Sequence, residues 1–123
     1  MPLQDGPEIE FYRGDGHAMS LRFKFNGVPM DITGATVWFT VKKVLENPDE
    51  NASIQKKIID HEDQTIDELR GMTAIVLLCD DTKIEVYDGY WYDIQLQMLG
   101  GCPLTVRGRL NVKQDVTLVY NEV

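Results

Sequence analysis

The stretch His17-Ala18-Met19-Ser20-Leu21-Arg22-Phe23-Lys24-Phe25 decides the fold class. Met19, Leu21, Phe23 and Phe25 fall on one side of an extended chain, and Ser20, Arg22 and Lys24 fall on the other. This is the pattern of a strand with one face in a core. Asn26-Gly27 follows, two residues that tolerate the positive φ of a tight reversal, and Pro29 fixes the exit.

Period-two patterning continues on both sides of this strand. Ala35 to Lys43 alternates Ala35, Val37, Phe39 and Val41 against Thr36, Trp38, Thr40 and Lys42, which places Trp38 on the polar face. Tyr90 to Met98 sets Tyr90, Tyr92, Ile94 and Leu96 against Trp91, Asp93, Gln95 and Gln97. After the hairpin signal Gly100-Gly101, Leu104, Val106, Leu110 and Val112 point inward, and Thr105, Arg107, Arg109 and Asn111 outward. Gly108 interrupts that inward face, as a bulge or a close approach by a neighbouring segment does. Ser53 to Ile59 reads as a further strand. The apolar run from Thr73 to Cys79 reads as a strand buried on both faces. Asp80-Asp81-Thr82 offers an N-cap to a short helical turn over Lys83 to Tyr87, which Gly89 stops. With a short first strand from Glu8 to Tyr12, about seven strands are expected, separated by turn signals that suit an antiparallel β-sandwich.

The polar segment Glu46 to Asn51 reads as a surface loop. His61 to Glu68 is the most acidic run and fits either a long hairpin loop or a helical turn around Ile66 and Leu69. The 123 residues suit a single domain, 1–123, large enough to fold without a disulfide or metal staple.

Composition narrows the function. Twelve Lys and Arg against 20 Asp and Glu give a formal charge of −8, which disfavours nucleic acid and anionic membranes as partners. The N-terminal Met-Pro-Leu-Gln-Asp-Gly has neither a basic start nor an apolar run, so no signal peptide is expected, and no stretch approaches a bilayer span. Cys79 and Cys102 then read as small buried hydrophobes. His17 and His61, the two histidines, have no Ser-His-Asp or Cys-His setting, and His61-Glu62-Asp63 reads as a solvated loop rather than a metal site. The expectation is no catalytic residue, no cofactor and no metal, and therefore not an enzyme.

The order of residues is also familiar. Arg13-Gly14-Asp15, the run from Phe23-Lys24-Phe25-Asn26-Gly27 through Asp31-Ile32-Thr33-Gly34 to Trp38-Phe39-Thr40-Val41-Lys42, then Gly89-Tyr90-Trp91-Tyr92-Asp93-Ile94-Gln95, Arg107-Gly108-Arg109-Leu110-Asn111-Val112 and Asp115-Val116-Thr117 resemble the immunoglobulin-like domain of tailed bacteriophages and prophages. That family includes the N-terminal domain of baseplate upper proteins and small free-standing virion proteins. Gly27 to Lys42 is the most specific part. The resemblance implies an immunoglobulin-like sandwich with a tyrosine-corner bond, for which Tyr92 is the candidate, and a turn at Asp31 to Gly34 that drops Ile32 into the core. It places Arg13-Gly14-Asp15 in a turn leading into a strand, not in an adhesion motif. The connection from Val44 to Gly71 is long and acidic for this family.

The resemblance implies a structural virion protein of a tailed phage, made in the host bacterial cytoplasm, acting through contacts with other virion proteins in the tail, baseplate, neck or capsid surface. Several copies, or a homo-oligomer, are expected in each particle. The alternative is a module that binds host-surface carbohydrate or protein. Trp38, Trp91, Arg107 and Arg109 are the interface candidates, because Trp and Arg are the types most enriched at hot spots. Against the arginines stands an internal cross-strand pair with Asp93. Residues 2–10 and 118–123 are expected to dock on neighbouring chains. Phe23→Ala and Phe39→Ala are expected to cost several kcal/mol, and changes at Ser20 or Thr40 almost nothing.

Overall fold

The computed structural model describes residues 4–44, 52–101 and 103–114. Its strands are β1 (Gln4–Asp5), β2 (Ile9–Tyr12), β3 (His17–Arg22), β4 (Lys24–Phe25), β5 (Val28–Pro29), β6 (Thr36–Lys42), β7 (Ile54–Ile58), β8 (Met72–Leu77), β9 (Tyr87–Gln97) and β10 (Leu104–Lys113). One 3₁₀ turn, Asp67–Leu69, interrupts the connection before β8. The protein is an all-β sandwich. The main sheet runs β1-β10-β9-β6-β7, with β2 also paired to β10; β3 and β8 form the opposing two-stranded sheet, and β4 and β5 a separate hairpin.

The long strands follow the alternation read from sequence. Val37, Phe39 and Val41 of β6, Tyr90, Tyr92 and Leu96 of β9, and Leu110 and Val112 of β10 are buried together with Ile75 and Leu77 of β8. Asn26 and Gly27 both have positive φ, 51° and 79°, and join β4 to β5 with Phe25 opposite Val28. Two positive φ values in a two-residue loop match the right-handed twist of the flanking strands. Ile32 is fully buried, and Asp31 Oδ1 accepts from the Thr33 N–H (3.0 Å) and hydroxyl (2.5 Å), so the turn closes as expected. Arg13 to Asp15 does form the turn from β2 to β3, and Arg13 Nε donates to the Ile84 carbonyl.

Other expectations are overturned. The sheet is mixed, because β1 and β2 both run parallel to β10. A short N-terminal strand can pair either way, and alternation carries no information about direction. Residues 4–5 and 9–12 therefore dock on their own chain; 118–123, like Asp115-Val116-Thr117, lie outside the described residues. Among the described residues there are ten strands where about seven were expected: Gln4–Asp5 and Val28–Pro29 are added, and the strand read through Phe25 breaks at Phe23, whose N–H donates to the Gly71 carbonyl. Phe25 is left exposed beyond that break. β8 is buried on one face only: Thr73, Ile75 and Leu77 point in, while Val76 and Leu78 are more than half exposed. No helix follows it. Asp81 accepts from the Leu78 N–H and pairs with Lys56, closing a turn, and the chain then enters β9 at Tyr87. Cys79 is exposed on that turn, and Cys102 is outside the described residues.

Of the two readings of Gly108, bulge or close approach, the bulge falls at Gly89 instead. Tyr90 opposes Leu110 and Asp88 opposes Asn111, so Gly89, at φ 97°, is the extra residue. Its freed groups are taken up by side chains: the Gly89 N–H donates to Asn111 Oδ1 (2.8 Å) and its carbonyl accepts from Arg109 Nη2 (2.9 Å). Asn111, read as outward, is buried for this reason, and its amide also donates to Glu8. Gly108 is the close approach: a Cβ there would lie 2.6 Å from Cε2 of Tyr92, its partner across the ladder.

The local tyrosine-corner bond belongs to Tyr90, not Tyr92. Tyr90 donates to the Glu85 carbonyl five residues upstream (2.7 Å), whereas Tyr92 reaches the Pro7 carbonyl (2.6 Å) at the other end of the chain. Burial moves both phenols above their ordinary range, Tyr90 to about 12 with the nearby Glu85 adding to the effect.

Thr40 points outward yet is buried among its neighbours, so it joins the sensitive positions, and Phe23 is only half-buried. Phe39→Ala should cost about 3–5 kcal/mol and Ser20→Ala at most about 0.5 kcal/mol in denaturant melts; equal losses would show that the assigned faces are wrong.

Candidate functional site

The outward side chains of β10, β9, β6 and β7 form a ladder of rows. Register places Arg109 beside Trp91 and Trp91 beside Lys42. The next row is Arg107, Asp93, Thr40 and Gln55, and the third is Thr105, Gln95, Trp38 and Lys57. All four interface candidates are therefore on one sheet face, but in two separate settings.

The first setting is a stack. The Arg109 guanidinium lies 3.7 Å from the Trp91 ring centroid and that of Arg107 lies 5.5 Å away. Such contacts are worth about 0.5–1 kcal/mol when exposed. The Arg109 bond to Gly89 fixes one end of the guanidinium, so this arginine also stabilises the bulge. Arg107 stands directly opposite Asp93, as the internal-pair reading requires. Beside the stack a polar groove of about 840 Å³ runs past Asp88 and Glu10, both of which hold Lys113. The Asp88 carboxylate raises the Lys113 pKa.

The second setting is a cup of about 290 Å³ whose lining is Trp38, Thr40, Gln55, Asp93 and Gln95. Short Thr40 makes the floor because its four neighbours are longer. Gln55 Nε2 donates weakly to Thr40 Oγ1 (3.4 Å), and Lys57 Nζ stands 5.5 Å from the Trp38 ring centroid.

The acidic connection before β8 is more structured than a solvated loop. Gln64 is buried: its Oε1 accepts from the Ile32 N–H (3.1 Å) and the Gly71 N–H (2.7 Å), and its Nε2 donates to the Glu62 carbonyl (2.7 Å). His61 bridges Thr73 Oγ1 (2.8 Å) and the Ala35 carbonyl (2.7 Å). A carbonyl only accepts, so the proton sits on Nε2. With both ring nitrogens engaged, His61 is a tie between strands. Asp63 repeats the Asp31 motif on Thr65, and these bonds lower the pKa of each aspartate. Nothing in the sequence distinguished Gln64 from the acidic residues around it; its role depends on two backbone donors brought together by folding.

Among the described residues no group of three potential ligands is placed to hold a metal ion, and no helix is long and apolar enough to cross a membrane. A further concavity, about 800 Å³, is a largely apolar cleft between β3 and the β2–β10 pair, lined by Met19, Leu21, Phe23, Ile94 and Leu104 among others. No protein-family model and no curated protein matches the chain.

Gln64→Ala strands two buried N–H groups and should cost about 2–4 kcal/mol in a urea melt, where a loss under about 0.5 kcal/mol would show that water replaces the amide. A second outcome concerns alkali. Both states hold the Tyr90 proton below the ordinary value of 10.0; above it the unfolded chain releases that proton first, so stability falls as pH rises from there to about 12. Tyr90→Phe should flatten that decline in thermal melts, and an unchanged alkaline slope would exclude Tyr90 as a source.

Proposed function

We propose that this chain is a structural virion component of a tailed bacteriophage, an immunoglobulin-like domain that works by protein contact rather than catalysis. The strand order supports the immunoglobulin-like part. β10-β9-β6-β7 opposed by β3-β8 corresponds to the G-F-C-C′ and B-E arrangement of variable-type sandwiches. Tyr90 holds the tyrosine-corner position near the start of the F-like strand, and Tyr92, two residues on, stands where antibody domains carry a cysteine. The resemblance over Gly27 to Lys42 supports the phage part.

The observation that carries the contact role is the Trp91 stack on an outward sheet face. A large aromatic flanked by guanidinium groups, on strands rigidly paired on both sides, has the composition of a hot spot. Multiple copies in a particle would let a modest patch suffice. A module for host-surface carbohydrate or protein remains the second reading, and the Trp38 cup favours its carbohydrate form.

The test is made on particles released from cells that encode the chain. Mass spectrometry of purified virions should find it in several copies, and its absence from intact particles would sink the virion reading. Because Arg109 also holds the bulge, and a glutamate at 107 would face Asp93 with a like charge, Arg107→Ala is the cleaner interface variant. It should keep the wild-type melting temperature within about 4 °C yet lose incorporation about tenfold or more, the weight of one truncated hot-spot residue.

A further inference from the structure

The Trp38 cup has a chemistry that the Trp91 stack lacks. Its floor is a hydroxyl, Thr40, and its wall carries one indole, two primary amides and one carboxylate. The amides of Gln55 and Gln95 each offer donors and an acceptor, and the Thr40 hydroxyl offers both. Asp93 already has a partner within the fold, and a carboxylate has about four acceptor sites, so further hydrogen bonds fit on it. Groups that both donate and accept, on adjacent strands beside a flat aromatic, match a ligand with several hydroxyls on one side and C–H groups on its face.

We propose that this cup binds a neutral pyranose unit of a saccharide, with the sugar's C–H face against Trp38 and its hydroxyls on Asp93, Gln95, Gln55 and Thr40. Three observations narrow the ligand to that class. The volume, about 290 Å³, accommodates a single ring with water and is small for a peptide segment. The lining itself carries a carboxylate and no cation, which disfavours phosphorylated or acidic sugars. Trp38, Thr40, Asp93 and Gln95 stand on β6 and β9, which are paired on both sides, so their backbone is fixed before the ligand arrives; Gln55 joins them from the edge strand β7.

Trp91 is not an equivalent platform. Arg109, 3.7 Å from the ring centroid and held there by its bond to the Gly89 carbonyl, occupies ring surface that a sugar would need. Lys57, by contrast, is exposed and stands 5.5 Å from Trp38, so it can swing aside or add a hydrogen bond to a hydroxyl. The assignment does not rest on the virion reading; a weak site of this kind gains avidity in any multi-copy assembly.

The probe is a set of neutral methyl glycosides of glucose, galactose, mannose and N-acetylglucosamine, titrated into the isotope-labelled full chain up to about 100 mM, a range that detects millimolar binding. At least one should produce saturable shifts of the Trp38 indole N–H and of the Thr40, Asp93 and Gln95 amides, with the Trp91 indole unmoved. Trp38→Ala should weaken that response about tenfold or more, and Gln95→Ala, which truncates an outward amide, should weaken it with the folded spectrum retained. Absence of a saturable response to every glycoside, shifts centred on Trp91, or full binding by a folded Gln95→Ala chain each overturns the proposal.

Discussion

The rest of the structure depends on the placement of the Tyr92 ring. It lies on Gly108, approaches Phe39 with centroids 6.0 Å apart, and donates its hydroxyl to the Pro7 carbonyl. A Cβ at Gly6 would fall 2.2 Å from that hydroxyl, so two glycines leave the space that one tyrosine fills. The phenol is therefore a strut between the centre of the main sheet and the N-terminal segment. With Pro7 held there, the chain before it can pair only with the start of β10, and the chain after it with its end. Burial that shifts the phenol upward also means that its proton must be used, and the Pro7 carbonyl is what uses it.

The second sheet is held by polar bonds as well as by the burial of Ile75 and Leu77. Among the described residues β3 and β8 pair only with each other, and the inward residues of β3 are half-buried where those of β8 are nearly fully buried. The connection leading into β8 adds a second anchor. Gln64 joins the Ile32 turn to Gly71, and His61 joins Ala35 to Thr73, so the entrance of β6 and the entrance of β8 are tied through one loop. The two Asp-x-Thr motifs at Asp31 and Asp63 hold the ends of that tie. Such bonds fix geometry because buried amides tolerate few alternatives.

The alternation of β6, β9 and β10 was legible because burial on one face imposes a period of two on the residues themselves. The turns at Asn26-Gly27 and Gly100-Gly101 were legible because positive φ selects residue type. Strand direction was not, since a parallel and an antiparallel neighbour demand the same alternation; hence the N-terminal pairing was missed. Gly89 was misread for a related reason. A helix stop and a bulge both require a left-handed residue, and only the register across β10 distinguishes them. Of the candidate site, its four residues and their common outward face were visible. Their division into a stack and a cup was not, because that depends on which side chain opposes which: a cation beside Trp91, and short Thr40 one row away from Trp38.

That division has an electrostatic consequence. The outward rows carry Arg107, Arg109, Lys42 and Lys57 against Asp93, and Glu8, Glu10 and Asp88 line the groove beside the stack. Cations and carboxylates therefore alternate across this face, an arrangement that fixes the orientation of whatever meets it more than it adds raw affinity.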